Sequence, residues 1–244
     1  MPIGATKALL LVIVALSTLS CGGDFFREYE YEEEMYLALD GSATIYVNAS
    51  VPALNALRGS TFNPDPSADI DREAVRAFFT TPVTRVTRRP SLSRRNNRRF
   101  VHVRLDVDHI STLTTARPFS WSTYRFFQDG NLFIYRQTVG APASDGSTTT
   151  WDGHELVAFR VHEPSTIVYH NAGPGNPKRG NILVWEQSLA SRLEGEPLDL
   201  ESRIESQSIL SRTLVLFGAT AVAVAITFAL ILWWVVRRGG RRPI

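Results

Sequence analysis

EYEYEEEMYLALDGSATIYVNASV, residues 28–51, decides the fold class. From Tyr29 to Leu39 the apolar residues Tyr29, Tyr31, Met35, Leu37 and Leu39 take the odd positions, while Glu28, Glu30, Glu32 and Glu34 take the even ones. A period of two is the signature of a strand with one face buried. Asp40-Gly41 supplies the positive-φ pair of a tight hairpin, and the alternation resumes with Ala43, Ile45, Val47, Ala49 and Val51 facing inward. The segment is a β-hairpin.

Working outward, Pro52 ends the second strand, and 53–58 is long enough for one helical turn. Asp69 or Asp71 caps a longer helix over 72–80, with Ala74, Val75, Phe78 and Phe79 on its buried face. A third amphipathic strand runs over 100–107, with Val101, Val103, Leu105 and Val107 on one side and His102, Arg104 and Asp106 on the other. Further strands follow as a meander at 121–128, 131–139, 155–163, 166–171, 181–187 and 197–205. The loop GAPASDGST (140–148) and the Gly/Pro turn AGPGNPKRG (172–180) separate them. The expected fold is α+β: a mostly antiparallel sheet carrying one or two helices, either as a sandwich or as a curved sheet gripping a helix.

Two hydrophobic segments flank this domain. Residues 1–20 carry Lys7 and then a short apolar stretch, which fits a signal peptide better than a membrane span. Thr18-Leu19-Ser20-Cys21 resembles a lipobox, with Thr18 where leucine is usual, so Cys21 is the expected lipidation site and 21–28 a short N-terminal linker. The alternatives are ordinary cleavage, leaving a free thiol, and an uncleaved anchor. The second segment, 214–236, has no charge, and at about 1.5 Å per residue it is roughly 35 Å long, enough to cross a bilayer. Trp233 and Trp234 fall at its interface end and Arg237, Arg238, Arg241 and Arg242 follow. The positive-inside bias therefore places the tail, 237–244, in the cytoplasm and the domain, 29–205, outside. Residues 206–213 are read as a short juxtamembrane link.

The formal net charge is +2, but every acidic residue lies between Asp24 and Glu205 and four arginines lie beyond the apolar segment, so the domain itself is slightly acidic. Nucleic acid is therefore not an expected partner. Cys21 is the single cysteine, so no intramolecular disulfide can form.

The densest local charge is Arg85, Arg88, Arg89, Arg94, Arg95, Arg98, Arg99 and Arg104, with no acidic residue from Pro82 to Leu105. Guanidinium forks bind phosphate bidentately, so Arg88, Arg89, Arg94, Arg95, Arg98 and Arg99 are candidates for contact with anionic lipid headgroups, on an adaptable RPSLSRRNNRR loop. The competing reading is a solvated loop that pairs with the acidic run Glu28–Glu34. Trp121, Tyr124, Phe126, Phe127, Phe133, Tyr135, Trp151 and Trp185 are expected mostly in the core, with a subset around Trp151 as a candidate rim for an acyl chain. The five histidines show no zinc spacing; Asp106, Asp108 and His109 come nearest to a metal cluster and read better as a strand end. There is no HExxH, CxxC, GxSxG, P-loop or GxGxxG motif, and neither a catalytic residue nor a cofactor is expected.

The lipobox-like start, the hairpin turning at Asp40-Gly41, GNILVWEQ at 180–187 and the terminal helix with its arginine tail together resemble the bacterial envelope lipoproteins of the LppM type. That resemblance spans most of the chain and implies an α+β domain outside the cytoplasmic membrane that binds glycolipids or phospholipids. The expected function is non-enzymatic binding of a lipid or lipid-linked glycan at the membrane surface. The alternative is an interaction module for another envelope protein.

Overall fold

The computed structural model describes residues 27–146, 149, 151–178 and 180–239. The signal segment, Cys21, Arg241 and Arg242 lie outside the described residues. β1 (Glu28–Leu37) and β2 (Ala43–Ser50) form the expected hairpin, in register from Tyr31 opposite Ala49 to Leu37 opposite Ala43. Gly41 turns the chain at φ +85°, and a β-carbon there would lie 2.5 Å from the His109 ring, so both backbone and space require glycine. α1 (Val51–Arg58) follows at once: the Ser50 hydroxyl accepts from the Ala53 amide, Pro52 occupies the first turn, and Gly59 at φ +68° ends it. α2 (Arg72–Phe79) is capped by Asp71 and buries Val75 and Phe79, whereas Ala74 is exposed.

The remaining strands are β3 (Thr84–Val86), β4 (Ser91–Arg95), β5 (Arg98–Val107), β6 (Ser122–Asp129), β7 (Leu132–Val139), β8 (Glu155–His162), β9 (Ser165–His170), β10 (Ile182–Ser188) and β11 (Leu198–Ser208). They build two sheets. The larger runs β10-β8-β1-β2-β5-β3, with β4 also paired to β5; the smaller runs β6-β7-β11-β9. All described pairings are antiparallel except β1 with β8. The fold is therefore α+β and mostly antiparallel, as expected, but it is not a simple meander. β8 returns to lie parallel to β1, and β11 inserts between β7 and β9. Alternation shows which face of a strand is buried and leaves its partner open, so neither crossover could be read from local pattern.

The stretch RPSLSRRNNRR (89–99), expected as a loop, contains the edge strand β4, and the short edge strand β3 precedes it. β4 escapes pattern recognition because an exposed edge has no buried face to alternate with. Its cue was the turn: Asn96 and Asn97 both take positive φ (48° and 54°), the geometry of a tight hairpin that asparagine tolerates. A short helix, α3 (Leu189–Leu193), and 3-10 turns at Ile110–Thr115 and Arg117–Phe119 complete the domain.

One continuous core joins both sheets, including Tyr31, Met35, Ile45, Leu54, Phe79, Leu105, Phe119, Tyr124, Tyr135, Phe159 and Leu200. The stretch 206–213 is shared between the end of β11 and the first turn of α4 (Ile209–Gly239), so strand passes directly into helix. Residues Thr213–Arg238 of α4 are long and apolar enough to cross a membrane, with a mean hydropathy of 2.5, and none of that helix is buried against the domain.

The strand pairings define two ends of the domain. Ser208 pairs with Ser165, which follows His162; His162 is level with Tyr36, Leu37 is opposite Ala43, and Ala43 is opposite Val107. This is the end from which α4 leaves. Glu28, Glu155 and Arg98 start β1, β8 and β5 at the other end, about 30 Å away along a ten-residue strand such as β5.

Candidate functional site

The far end gathers most of the chemistry. At the β4–β5 hairpin the six candidate arginines have different fates. Arg98 is held by two buried carboxylates, Glu30 (3.0 Å) and Glu155 (3.2 Å), and lies over the Trp151 ring with its guanidinium carbon 4.9 Å from the centroid. Burial acts against the Glu155 charge, but the amides of Asp152 and Gly153, at 2.7 and 2.8 Å, and the Arg98 guanidinium hold its carboxyl below the usual range. Arg99 donates to the Pro66 carbonyl at 3.0 Å, and Arg95 to that of Tyr29. Arg94 reaches across the turn to the Asn97 side chain at 2.8 Å. Arg88 and Arg89 are exposed between β3 and β4, with no bond to a described residue. The hairpin thus both pairs with the acidic strand and keeps free cations. Arg95, Arg98 and Arg99 tie it down; Arg88, Arg89 and Arg94 face solvent.

A second constellation lies between the sheets. Glu33 sits among the inward residues Tyr31, Met35 and Leu37, buried, and forms an ion pair with Arg58 of α1 at 2.5 Å. Its other bonds come from Tyr124 (3.0 Å) and Tyr31 (3.1 Å), while Arg58 also donates to the Pro118 carbonyl. Burial pushes the Glu33 carboxyl up to about 8, partly offset by the Tyr124 and Gln137 bonds, and it brings Arg58 down to about 9. Arg58 is also packed against aromatic faces, 4.3 Å from Trp121, 4.7 Å from Tyr31 and 4.9 Å from Phe119.

Arg192 of α3 approaches the same indole, 6.0 Å from Trp121, and is wholly buried. The sequence reading passed over Glu33, Arg58 and Arg192. Glu33 had a signal, since it falls in phase with the inward positions of β1. Arg192 had none, because a five-residue helix shows no periodicity.

The expected aromatics are largely core. Tyr124, Phe126, Tyr135 and Trp185 are buried, Trp121, Phe133 and Trp151 pack against the core, and Phe127 is exposed. Among the described residues no three His, Cys, Asp or Glu side chains come together as metal ligands. Asp106 accepts from the Thr44 hydroxyl, and His109 caps the 3-10 turn at Ser111. The histidines are dispersed: His102 bonds Ser93 and Asn48, and His162 bonds Glu34 and stacks on Tyr36. On α4, Arg237 lies over Trp233 at 4.9 Å and Arg238 over Trp234 at 4.2 Å, a tryptophan–arginine arrangement suited to a membrane interface.

No protein-family model matches the sequence, and no curated protein matches it. Among solved structures, the NMR structure of the folded domain of the Mycobacterium tuberculosis LppM protein aligns with 74% of this chain and 92% of that one. The identity is 12% and the TM-score 0.41, a weak resemblance at the level of the fold.

Proposed function

We propose that the chain is a non-catalytic, membrane-anchored envelope protein. Its domain lies outside the cytoplasm and binds the anionic head of a membrane lipid or lipid-linked glycan through Arg88, Arg89 and Arg94. The observation that carries this reading is the set of exposed guanidiniums on one sheet edge. The neighbouring arginines are used internally, yet these three remain available for bidentate contact with phosphate. The sheet aromatics are committed to the core, so in this reading the acyl chain stays in the bilayer.

The two ends of the domain constrain how this works. With α4 as sole anchor and the strands upright, the hairpin tip would stand about 30 Å from the point where α4 leaves. A lipid on Cys21 changes this, because residues 22–27 span at most ~20 Å and join β1 at the far end. Two anchors at opposite ends lay the strands along the membrane and bring the arginine edge to the headgroups. Native mass spectrometry of the full chain released from membranes in mild detergent tests the reading. A retained anionic lipid, lost on Arg88→Ala/Arg89→Ala/Arg94→Ala, supports it; a lipid-free protein with a co-purifying envelope partner refutes it.

That partner-binding outcome has its own supporting observation. β9 is an open sheet edge with Val168 and Tyr169 exposed, 57% and 46%, close to where α4 leaves.

A further inference from the structure

Among the described residues Arg192 is a buried arginine with no carboxylate in direct contact; Glu196 acts on its charge only from a distance. Arg58 has Glu33, and Arg98 has Glu30 and Glu155. The Arg192 guanidinium makes a single long bond, from Nη1 to the Val139 carbonyl at 3.3 Å, while Nε and Nη2 are buried and have no partner. Those two nitrogens are the parallel, side-on donors of a guanidinium, the pair whose spacing matches two oxygens of a phosphate or carboxylate. The neighbouring Trp121 presents another buried donor, Nε1, that is also unpartnered, and its ring lies 6.0 Å from the Arg192 guanidinium carbon. Burial of a charge without a directly bonded counter-charge is unfavourable, and burial here depresses the Arg192 pKa, with Glu196 offsetting it only in part. Unpartnered buried donors clustered in this way point to an acceptor that belongs with the protein.

We propose that Arg192 and Trp121 form an oxyanion-binding site in which the Nε–Nη2 edge grips a phosphate or carboxylate group and the indole N–H adds a third donor. The segment Gly140–Gly146 covers it. Gly140 donates to the Trp121 carbonyl at 2.7 Å, Ser144 donates to the Ala56 carbonyl at 3.0 Å, and a β-carbon on Gly146 would touch Leu193. In this proposal the segment, which lacks bulky side chains, is the route by which an anion enters. The site is separate from Arg88, Arg89 and Arg94, and it stands whether or not those residues bind lipid.

The test is thermal unfolding of the full chain in neutral detergent, titrated with inorganic phosphate against chloride at constant ionic strength. Soluble dihexanoylphosphatidic acid in a parallel series asks whether the phosphate of a lipid reaches the same site. At about tenfold excess over the dissociation constant the wild-type midpoint should rise by roughly 3–6 °C. Arg192→Met should lose that shift while unfolding no lower than wild type without phosphate. Trp121→Phe, which keeps the ring but removes one N–H, should show a smaller shift, and it serves as the variant of record if Arg192→Met does not fold. Arg88→Ala/Arg89→Ala/Arg94→Ala should keep the full shift, which separates this site from the exposed arginines. A wild-type midpoint indifferent to both probes overturns the proposal, as does an undiminished shift in Arg192→Met or, failing that variant, in Trp121→Phe.

Discussion

The two ends of this domain are built from different materials. Toward the end where α4 leaves lie Tyr36, Phe127, Val168 and Tyr169, the exposed large hydrophobics among the described residues outside α4, beside exposed acidic residues such as Asp40, Asp108 and Asp129. Arginine is dense along the β4 edge and at the far end: Arg94 and Arg95 are exposed near the β4–β5 turn, Arg88 and Arg89 are exposed level with the middle of β5, and Arg58, Arg98 and Arg192 lie over tryptophan rings. A helix long and apolar enough to cross a membrane leaves from one end, and the exposed arginines line a sheet edge that runs toward the other. The buried pair Glu33–Arg58 sits between them, where Arg58 of α1 and Tyr124 of the smaller sheet meet the same β1 carboxylate.

The largest test of this division falls on that pair. Arg58→Met strands the Glu33 carboxylate in the core and should cost about 3–5 kcal/mol in denaturant unfolding, whereas adding Glu33→Leu should recover much of the loss. A small loss in the single variant would mean that the pair does not join the sheets.

Next comes Glu163, at the α4 end, buried with the Ser202 hydroxyl at 2.5 Å and pushed up to about 7 by that burial. Between pH 4.5 and 7 the unfolded chain releases a proton that the folded domain keeps. The Glu163 contribution to stability should therefore fall as pH rises through this window, by ~3 kcal/mol, in addition to the fall from the raised Glu33 carboxyl over an overlapping range. Glu163→Gln should make the fall shallower and leave the Glu33 part; an unchanged slope would assign the whole pH dependence to another group.

The exposed arginines come third. Each of Arg88→Ala, Arg89→Ala and Arg94→Ala should weaken binding to phosphatidylglycerol vesicles by about 1 kcal/mol and leave unfolding within about 0.5 kcal/mol. Arg98→Ala should do the reverse, weakening the fold by breaking a buried triad. Smallest of all, Val168→Thr and Phe127→Ser should shift stability by no more than about 0.5 kcal/mol, since both side chains already face solvent.

Much of the fold was legible because strands with one buried face announce themselves. The β1–β2 hairpin, β5, α2 and the apolar C-terminal helix all follow from alternation, capping or length. What stayed hidden has a common physical origin. β4 lacks a buried face, the β1–β8 pairing joins residues 126 or 127 apart, and no local turn chemistry reports it. The arginine run was visible as a cluster, but its sorting into tied and free members depends on which carboxylates the sheet places beneath it. Glu30 and Glu155 come together only through that parallel pairing.

Binding of the full chain, reconstituted in neutral-lipid nanodiscs, to vesicles with and without phosphatidylglycerol bears most directly on the proposed role of the far end. Salt-sensitive binding to the anionic vesicles that disappears in Arg88→Ala/Arg89→Ala/Arg94→Ala is the predicted result. Equal binding by wild type and the triple variant would contradict it and move the search to the open edge at β9.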